Sequence, residues 1–174
     1  MNRRLDNRRH GRLAALAASA LLLAGGLLAA TVPSAAATPA KYTHAAAAQR
    51  LRQAGIGWTS SGGCSNRNNP RCTSFEQINE STVAGVIAFR RASGCAVTLT
   101  GGTETGHAGG TYSHRNGYKV DVKVTSCVDA YVTGKLRYAG LRPGDHAKQY
   151  KSPAGNVYAR EGSHWDVTYF NGSR

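Results

Sequence analysis

The sequence contains no pair of cysteines separated by two residues, the spacing found in zinc ribbons, which argues against a cysteine metal site. It also lacks internal repeats, and it lacks the interleaved aromatic and basic residues that bind single-stranded nucleic acid. Acidic residues are scarce, with nine Asp and Glu against 22 Lys and Arg. The resulting positive charge favours anionic surroundings such as wall polymers, membrane surfaces or nucleic acid, and charge alone does not choose among them.

Residues 1–37 have the features of a secretory signal peptide. Five arginines precede an apolar run over residues 13–30, and the alanines of residues 35–37 suit a signal peptidase. A membrane anchor is the alternative, but the alanine-rich run leads directly into the cleavage motif. We therefore expect a secreted protein, cleaved after Ala37, with no transmembrane segment in the mature domain of residues 38–174. Because residues 1–37 contain five arginines and one aspartate, the mature chain keeps 17 basic and 8 acidic residues, a net charge of +9.

The four cysteines of the chain all lie in the part expected to be exported. An even number of cysteines in an oxidising compartment predicts two disulfides, for which three pairings exist. Residues 65–71 are rich in turn-forming types that can bring Cys64 and Cys72 together. We therefore predict that Cys64 pairs with Cys72 and that Cys95 pairs with Cys127.

The pattern of apolar residues predicts one α+β domain with a small antiparallel sheet and flanking helices. We expect this domain to be a monomer. Helices are expected at three places: residues 43–54, 74–94 and 126–138. The second of these starts at an apparent capping box. Strands are expected at four places: residues 95–100, 118–124, 156–161 and 164–170. Between them we expect two loops, a glycine-rich one over residues 101–117 and a polar one over residues 139–156.

Two short segments carry the residue types of a hydrolytic metal site. His114 lies seven residues before Asp121, and Glu161 lies three residues before His164 across a predicted tight turn. Two neutral imidazoles and a carboxylate suit zinc, and catalysis needs a further carboxylate that accepts a proton from water. We therefore predict a zinc site on the sheet with His114, Asp121 and His164 as ligands and Glu161 as general base.

The two segments read H-x2-G-x3-D from His114 and E-x2-H-x-D from Glu161. They resemble the zinc D-Ala-D-Ala carboxypeptidases and dipeptidases, their phage endopeptidase relatives, and the wider group that includes lysostaphin-type peptidases and the hedgehog domain. The similarity covers residues 95–170. It implies the same zinc ligands and the same base, in a metallopeptidase that hydrolyses peptide bonds of peptidoglycan.

The family often has an arginine ahead of the first ligand, where it binds or polarises the substrate, and residues 100–107 contain none. Other side chains near the two segments are expected to contact the substrate: Lys119, Arg115, His107, Trp165 and Asp166. The expected partners are peptidoglycan peptides and anionic polymers of the cell envelope, without specific nucleic acid. Two alternatives are a non-enzymatic, zinc-containing protein that binds the envelope, and a secreted basic nuclease that uses His114.

Overall fold

The computed structural model describes residues 38–170, so the predicted signal peptide over residues 1–37 lies outside the described residues. Within this range the chain forms nine strands and three helices. In chain order they are β1 Lys41–Tyr42, α1 His44–Gln53, β2 Gly57–Trp58, β3 Ile78–Asn79, α2 Glu80–Ser93, β4 Thr98–Gly101, β5 Lys119–Lys123, α3 Ser126–Lys135, β6 Arg137–Leu141, β7 Lys148–Lys151, β8 Val157–Glu161 and β9 His164–Thr168.

Seven of these strands form one sheet in the order β2-β4-β5-β9-β8-β7-β6, and β1 pairs with β3 separately. The chain is a mixture of helices and a sheet as predicted, but the sheet differs from the small antiparallel one expected in two respects. Strand β2 pairs with β4 in parallel. Residues 139–156, predicted as a polar loop, instead contain the end of β6 and all of β7, which pair and extend the sheet. The edge strand β6 and its neighbour β7 are exposed or half-buried along their length, so their sequences lack the apolar alternation that identifies a strand.

Alternation along β5 separates the core from a polar face. Val120 and Val122 are buried in the hydrophobic core, where they join apolar residues of all three helices. Lys119 and Asp121 lie on the opposite face, as successive residues of a strand must. The same alternation in β9 sends Trp165 into the core. The sheet therefore has one face covered by helices and one face that carries polar side chains.

The first helix has the start and end expected from the sequence. The Thr43 hydroxyl accepts a hydrogen bond from the Ala46 amide at 3.3 Å, and Gly55 adopts the left-handed backbone that ends helices. The His44 amide donates to the Glu76 carboxylate at 2.8 Å. Glu76 lies within the capping-box segment predicted at Ser74, whose partner residue would be Gln77, yet its carboxylate caps the start of α1.

The second helix begins at Glu80, six residues later than the capping box predicted. Gln77 has a positive φ of 63°, which interrupts any helix at that point. The next two residues pair with β1 before the helix starts. The helix ends at Gly94 as predicted. The third helix is capped by Thr125 and ends at Lys135, because the residues predicted to continue it enter β6.

Both predicted disulfides are present, Cys64–Cys72 and Cys95–Cys127. The first closes a surface loop, and the second joins the segment after α2 to the first turn of α3. Two disulfides and the lack of a free cysteine among the described residues indicate an oxidising environment. Within residues 38–170, no helix has the length and apolar character needed to span a membrane.

Candidate metal centre

His114 is positioned by the glycine-rich loop that ends at Gly117. Its Nδ1 atom lies 2.7 Å from the Gly102 carbonyl oxygen. Since a carbonyl only accepts, Nδ1 carries the proton and Nε2 is directed away from the backbone. Nε2 lies 3.4 Å from Asp121 Oδ1 and 3.6 Å from Asp166 Oδ1. A backbone carbonyl that fixes the imidazole in this way is a common support for a metal ligand.

Asp121 comes from the polar face of β5 and is only 5% exposed. Its carboxylate fits because Gly101, on the neighbouring strand, has no side chain: a Cβ atom there would lie 2.2 Å from Asp121 Oδ2. Oδ1 lies 3.4 Å from His114 Nε2 and 3.5 Å from His164 Nε2. The same oxygen is buried and has no hydrogen-bond partner. Two imidazole nitrogens therefore surround one unsatisfied carboxylate oxygen.

The hairpin of β8 and β9 brings Glu161 beside His164. The two residues are directly paired across the turn, and Glu161 Oε2 lies 3.3 Å from His164 Nε2. Both side chains are less buried than His114 or Asp121, at 31% and 28% exposed. The structure thus brings together the three predicted ligands and the predicted base. Of these, Glu161 and His164 lie at the open edge of the site.

His107 also reaches this site, from the glycine-rich loop. Its ring stacks on that of His114 with centroids 3.8 Å apart, and its Nδ1 lies 3.9 Å from Asp121 Oδ2. One ligand atom from each of His107, His114 and Asp121 lies within 4.8 Å of the other two, so these three residues could hold a metal ion. The sequence had suggested a substrate contact for His107, whereas the structure offers it as a further candidate ligand beside His164.

Glu104 anchors the segment that carries His107. Its buried carboxylate accepts hydrogen bonds from the Ser74 and Gly102 amides, at 2.7 Å and 3.0 Å, and lies 3.3 Å from His107 Nε2. These bonds outweigh the effect of burial and lower the pKa of Glu104. Glu104 and His107 are therefore a built part of the site.

The centre carries an excess of negative charge. Asp121 and Asp166 face each other across β5 and β9, a position in which like charges are unfavourable. Asp166 Oδ1, like Asp121 Oδ1, is buried without a hydrogen-bond partner. Burial opposes a charge on His114, but these two carboxylates outweigh burial and raise the pKa of His114 to about 9. In the absence of a metal, a proton on His114 balances the carboxylates, so the donors fit a cation.

Arg142 is the main residue of the site that the sequence did not suggest. It follows β6, and its guanidinium donates to Asp166 Oδ2 at 2.8 Å, to Asp145 Oδ1 at 2.9 Å and to Glu161 Oε1. The bonds to Asp145 and Glu161 raise the pKa of Arg142. Arg142 therefore places a guanidinium beside the predicted base, supplied from a loop that follows the first predicted ligand in sequence.

Of the five side chains predicted to contact substrate, three line the cleft: His107, Lys119 and Asp166. Lys119 Nζ donates to Asp166 Oδ2 at 2.6 Å. Arg115 lies elsewhere, with its guanidinium on the Asn68 side chain at 3.1 Å. Trp165 is 1% exposed and lies on the core face of β9, where its indole donates to Asp129. Burial removes Trp165 from the side chains that can touch a ligand in the cleft.

The cleft around these residues has a volume of about 540 Å³. Its charged lining includes four carboxylates, from Asp121, Asp145, Glu161 and Asp166, and two permanent cations, from Lys119 and Arg142. A divalent ion would balance this set. Comparisons with protein-family models, with curated proteins and with solved structures found no match for the chain. The geometry of the cleft therefore carries the functional assignment.

Proposed function

We propose that this protein is a zinc-dependent peptidase that acts outside the cytosol on peptide bonds of peptidoglycan stem peptides or cross-links. One observation carries the proposal. The Nε2 atoms of His114 and His164 both lie within 3.5 Å of the same buried, unsatisfied oxygen of Asp121, and Glu161 lies beside them. Two imidazoles, a carboxylate ligand and a separate carboxylate base are the components of a hydrolytic zinc site.

His114, Asp121 and His164 would hold the ion, with His107 close enough to take part. A zinc ion bound there supplies Lewis-acid chemistry, since it lowers the pKa of water and polarises a carbonyl group. Imidazole and carboxylate donors are the set that zinc accepts, whereas magnesium and calcium prefer oxygen donors alone. The disulfides support a location in an oxidising compartment, where peptidoglycan peptides are found.

Glu161 would move the proton in the reaction. Arg142 holds Oε1 of this carboxylate, which leaves Oε2 beside His164 and directed at the site. Oε2 accepts a proton from the attacking water, whose oxygen forms the new bond to the carbonyl carbon. When the C–N bond breaks, Glu161 passes the proton to the leaving nitrogen, and the products are a carboxylate and an amine.

The proposal is tested on purified peptidoglycan fragments, with products separated by chromatography and identified by mass. We expect cleavage that a chelator abolishes and added zinc restores. Glu161→Gln keeps the shape of the side chain but removes the proton acceptor, so kcat should fall by a factor on the order of 10² to 10⁴ while zinc stays bound. Glu80→Gln is the matched control, because Glu80 is exposed at the start of α2. Zinc-loaded protein that cleaves none of the fragments would overturn the proposal and leave a protein that only binds the envelope.

A further inference from the structure

We propose that the cleft cuts internal peptide bonds, with the substrate chain extending past the metal centre on both sides. This inference rests on the proposed function and adds the class of bond that is cleaved. An enzyme that removes a terminal residue needs a closed end to its cleft and a cation that receives the terminal carboxylate. In the described part of the cleft, both permanent cations are already paired with carboxylates, and further depressions adjoin the cleft in two places.

On one side a smaller depression of about 290 Å³ adjoins the cleft beyond Lys119. Lys119 belongs to the lining of both. Lys119 on β5 is paired with Thr168 on β9, and Thr168 with Val157 on β8, so their side chains form a row along the polar face of the sheet. Tyr112 and Phe170 complete the walls. This arm offers contacts for an apolar part of a peptide.

On the other side a depression of about 550 Å³ adjoins the cleft. The two share Asp145 and Glu161 as lining residues, so this depression begins beside the predicted base. Lys148, Arg160 and Gly162 lie in the lining of this second arm. Depressions therefore adjoin the cleft both beyond Lys119 and beside the predicted base.

The charges of the cleft disfavour a terminal carboxylate at the site of cleavage. Among the described residues that line it, Lys119 and Arg142 supply the permanent positive charges. Lys119 is paired with Asp166, and Arg142 is paired with Asp145, Glu161 and Asp166. A substrate carboxylate would have to displace one of these partners, whereas an internal amide is neutral and displaces none. With a divalent ion bound, the charged groups of the lining sum to zero, which leaves no net attraction for an added anion.

The test compares three substrates with zinc-loaded protein: a cross-linked dimer of stem peptides, an uncross-linked pentapeptide stem that ends in D-Ala-D-Ala, and the D-Ala-D-Ala dipeptide. We expect an internal bond of the dimer to be cut at least about tenfold faster than terminal D-Ala is released, because binding on both sides of the bond contributes to catalysis. Release of terminal D-Ala with the dimer intact would overturn this inference and leave the proposed function standing. No cleavage of any substrate by zinc-loaded protein would overturn the proposed function itself.

Two variants test the arms separately. Val157→Trp fills the arm beyond Lys119, and Gly162→Tyr fills the other arm, where a Cβ atom meets no other atom within 4 Å. Each should lower kcat/KM for the dimer by about tenfold, since each removes remote binding. Ala139→Trp on the exposed edge strand β6 is the control and should change little. The zinc content and the thermal unfolding midpoint of each variant show whether it is folded. If folded variants cleave the dimer with unchanged kcat/KM, the substrate does not bind on both sides of the metal centre.

Discussion

The metal-free protein should lose stability as the pH rises from 6.5 to 9, because of His114. Asp121 and Asp166 raise the pKa of this buried histidine to about 9, against 6.5 for an ordinary histidine. A raised pKa in the folded state contributes stability that is fully present below pH 6.5 and is lost as the pH passes through 9. Converted at 1.36 kcal/mol per pKa unit, the expected loss in the free energy of unfolding is on the order of 3 kcal/mol.

The assay is urea unfolding in chelator at a series of pH values between 6.5 and 9.5, followed by circular dichroism. His114→Gln is the control, since the amide cannot titrate and the part of the slope due to His114 should disappear. The pKa of Asp166 is lowered in the folded state, where burial is outweighed by His114 and Lys119, so its contribution is lost only under acid conditions and does not interfere. A wild-type slope equal to that of His114→Gln would refute the proposed electrostatics of the centre.

Three further predictions follow from single contacts. Gly101→Ala puts a Cβ atom 2.2 Å from Asp121 Oδ2, so this variant should bind zinc more weakly in competition with a coloured chelator. Gly109→Ala is the control and should bind zinc as the wild type does, because a Cβ atom at Gly109 meets no other atom within 4 Å. The double variant Cys95→Ser with Cys127→Ser should lower the free energy of unfolding by about 3 to 4 kcal/mol, and a loss below about 1 kcal/mol would contradict the loop-entropy estimate for this bridge. Glu104→Gln should weaken the hydrogen bonds that anchor its loop, so the amide hydrogens of Gly102 and Ser74 should exchange faster with solvent. Unchanged exchange rates would show that the carboxylate is not needed to anchor the loop.

The parts of the site that strands and turns position could be predicted from the sequence. Alternation in β5 placed Asp121 opposite the valines, and a two-residue turn placed Glu161 beside His164. These relations are local, so a period of two and a turn signal are sufficient. The disulfide Cys64–Cys72 is local in the same sense.

The parts that depend on distant segments could not be predicted. Arg142 reaches Glu161 and Asp166 only because β6 and β7 add to the edge of the sheet and return the chain to the cleft. The capping box predicted from Ser74 and Gln77 failed for a related reason: Gln77 adopts a positive φ, and the Ser74 amide donates to the distant Glu104 carboxylate. In both cases a hydrogen bond to a residue distant in sequence decides where the side chain or backbone group lies, and the local sequence carries no sign of that partner.

The metal content of the purified protein tests the central claim most directly. Protein prepared without chelators, or loaded with zinc and freed of excess, should contain one zinc per chain by elemental analysis. His114→Ala and Asp121→Ala should each abolish stoichiometric binding, because each removes a donor of the buried cluster, while His146→Ala, which is not among the donors of the metal centre, should retain it. Wild-type protein that is folded yet binds no zinc or other divalent metal at any stoichiometry would contradict the account.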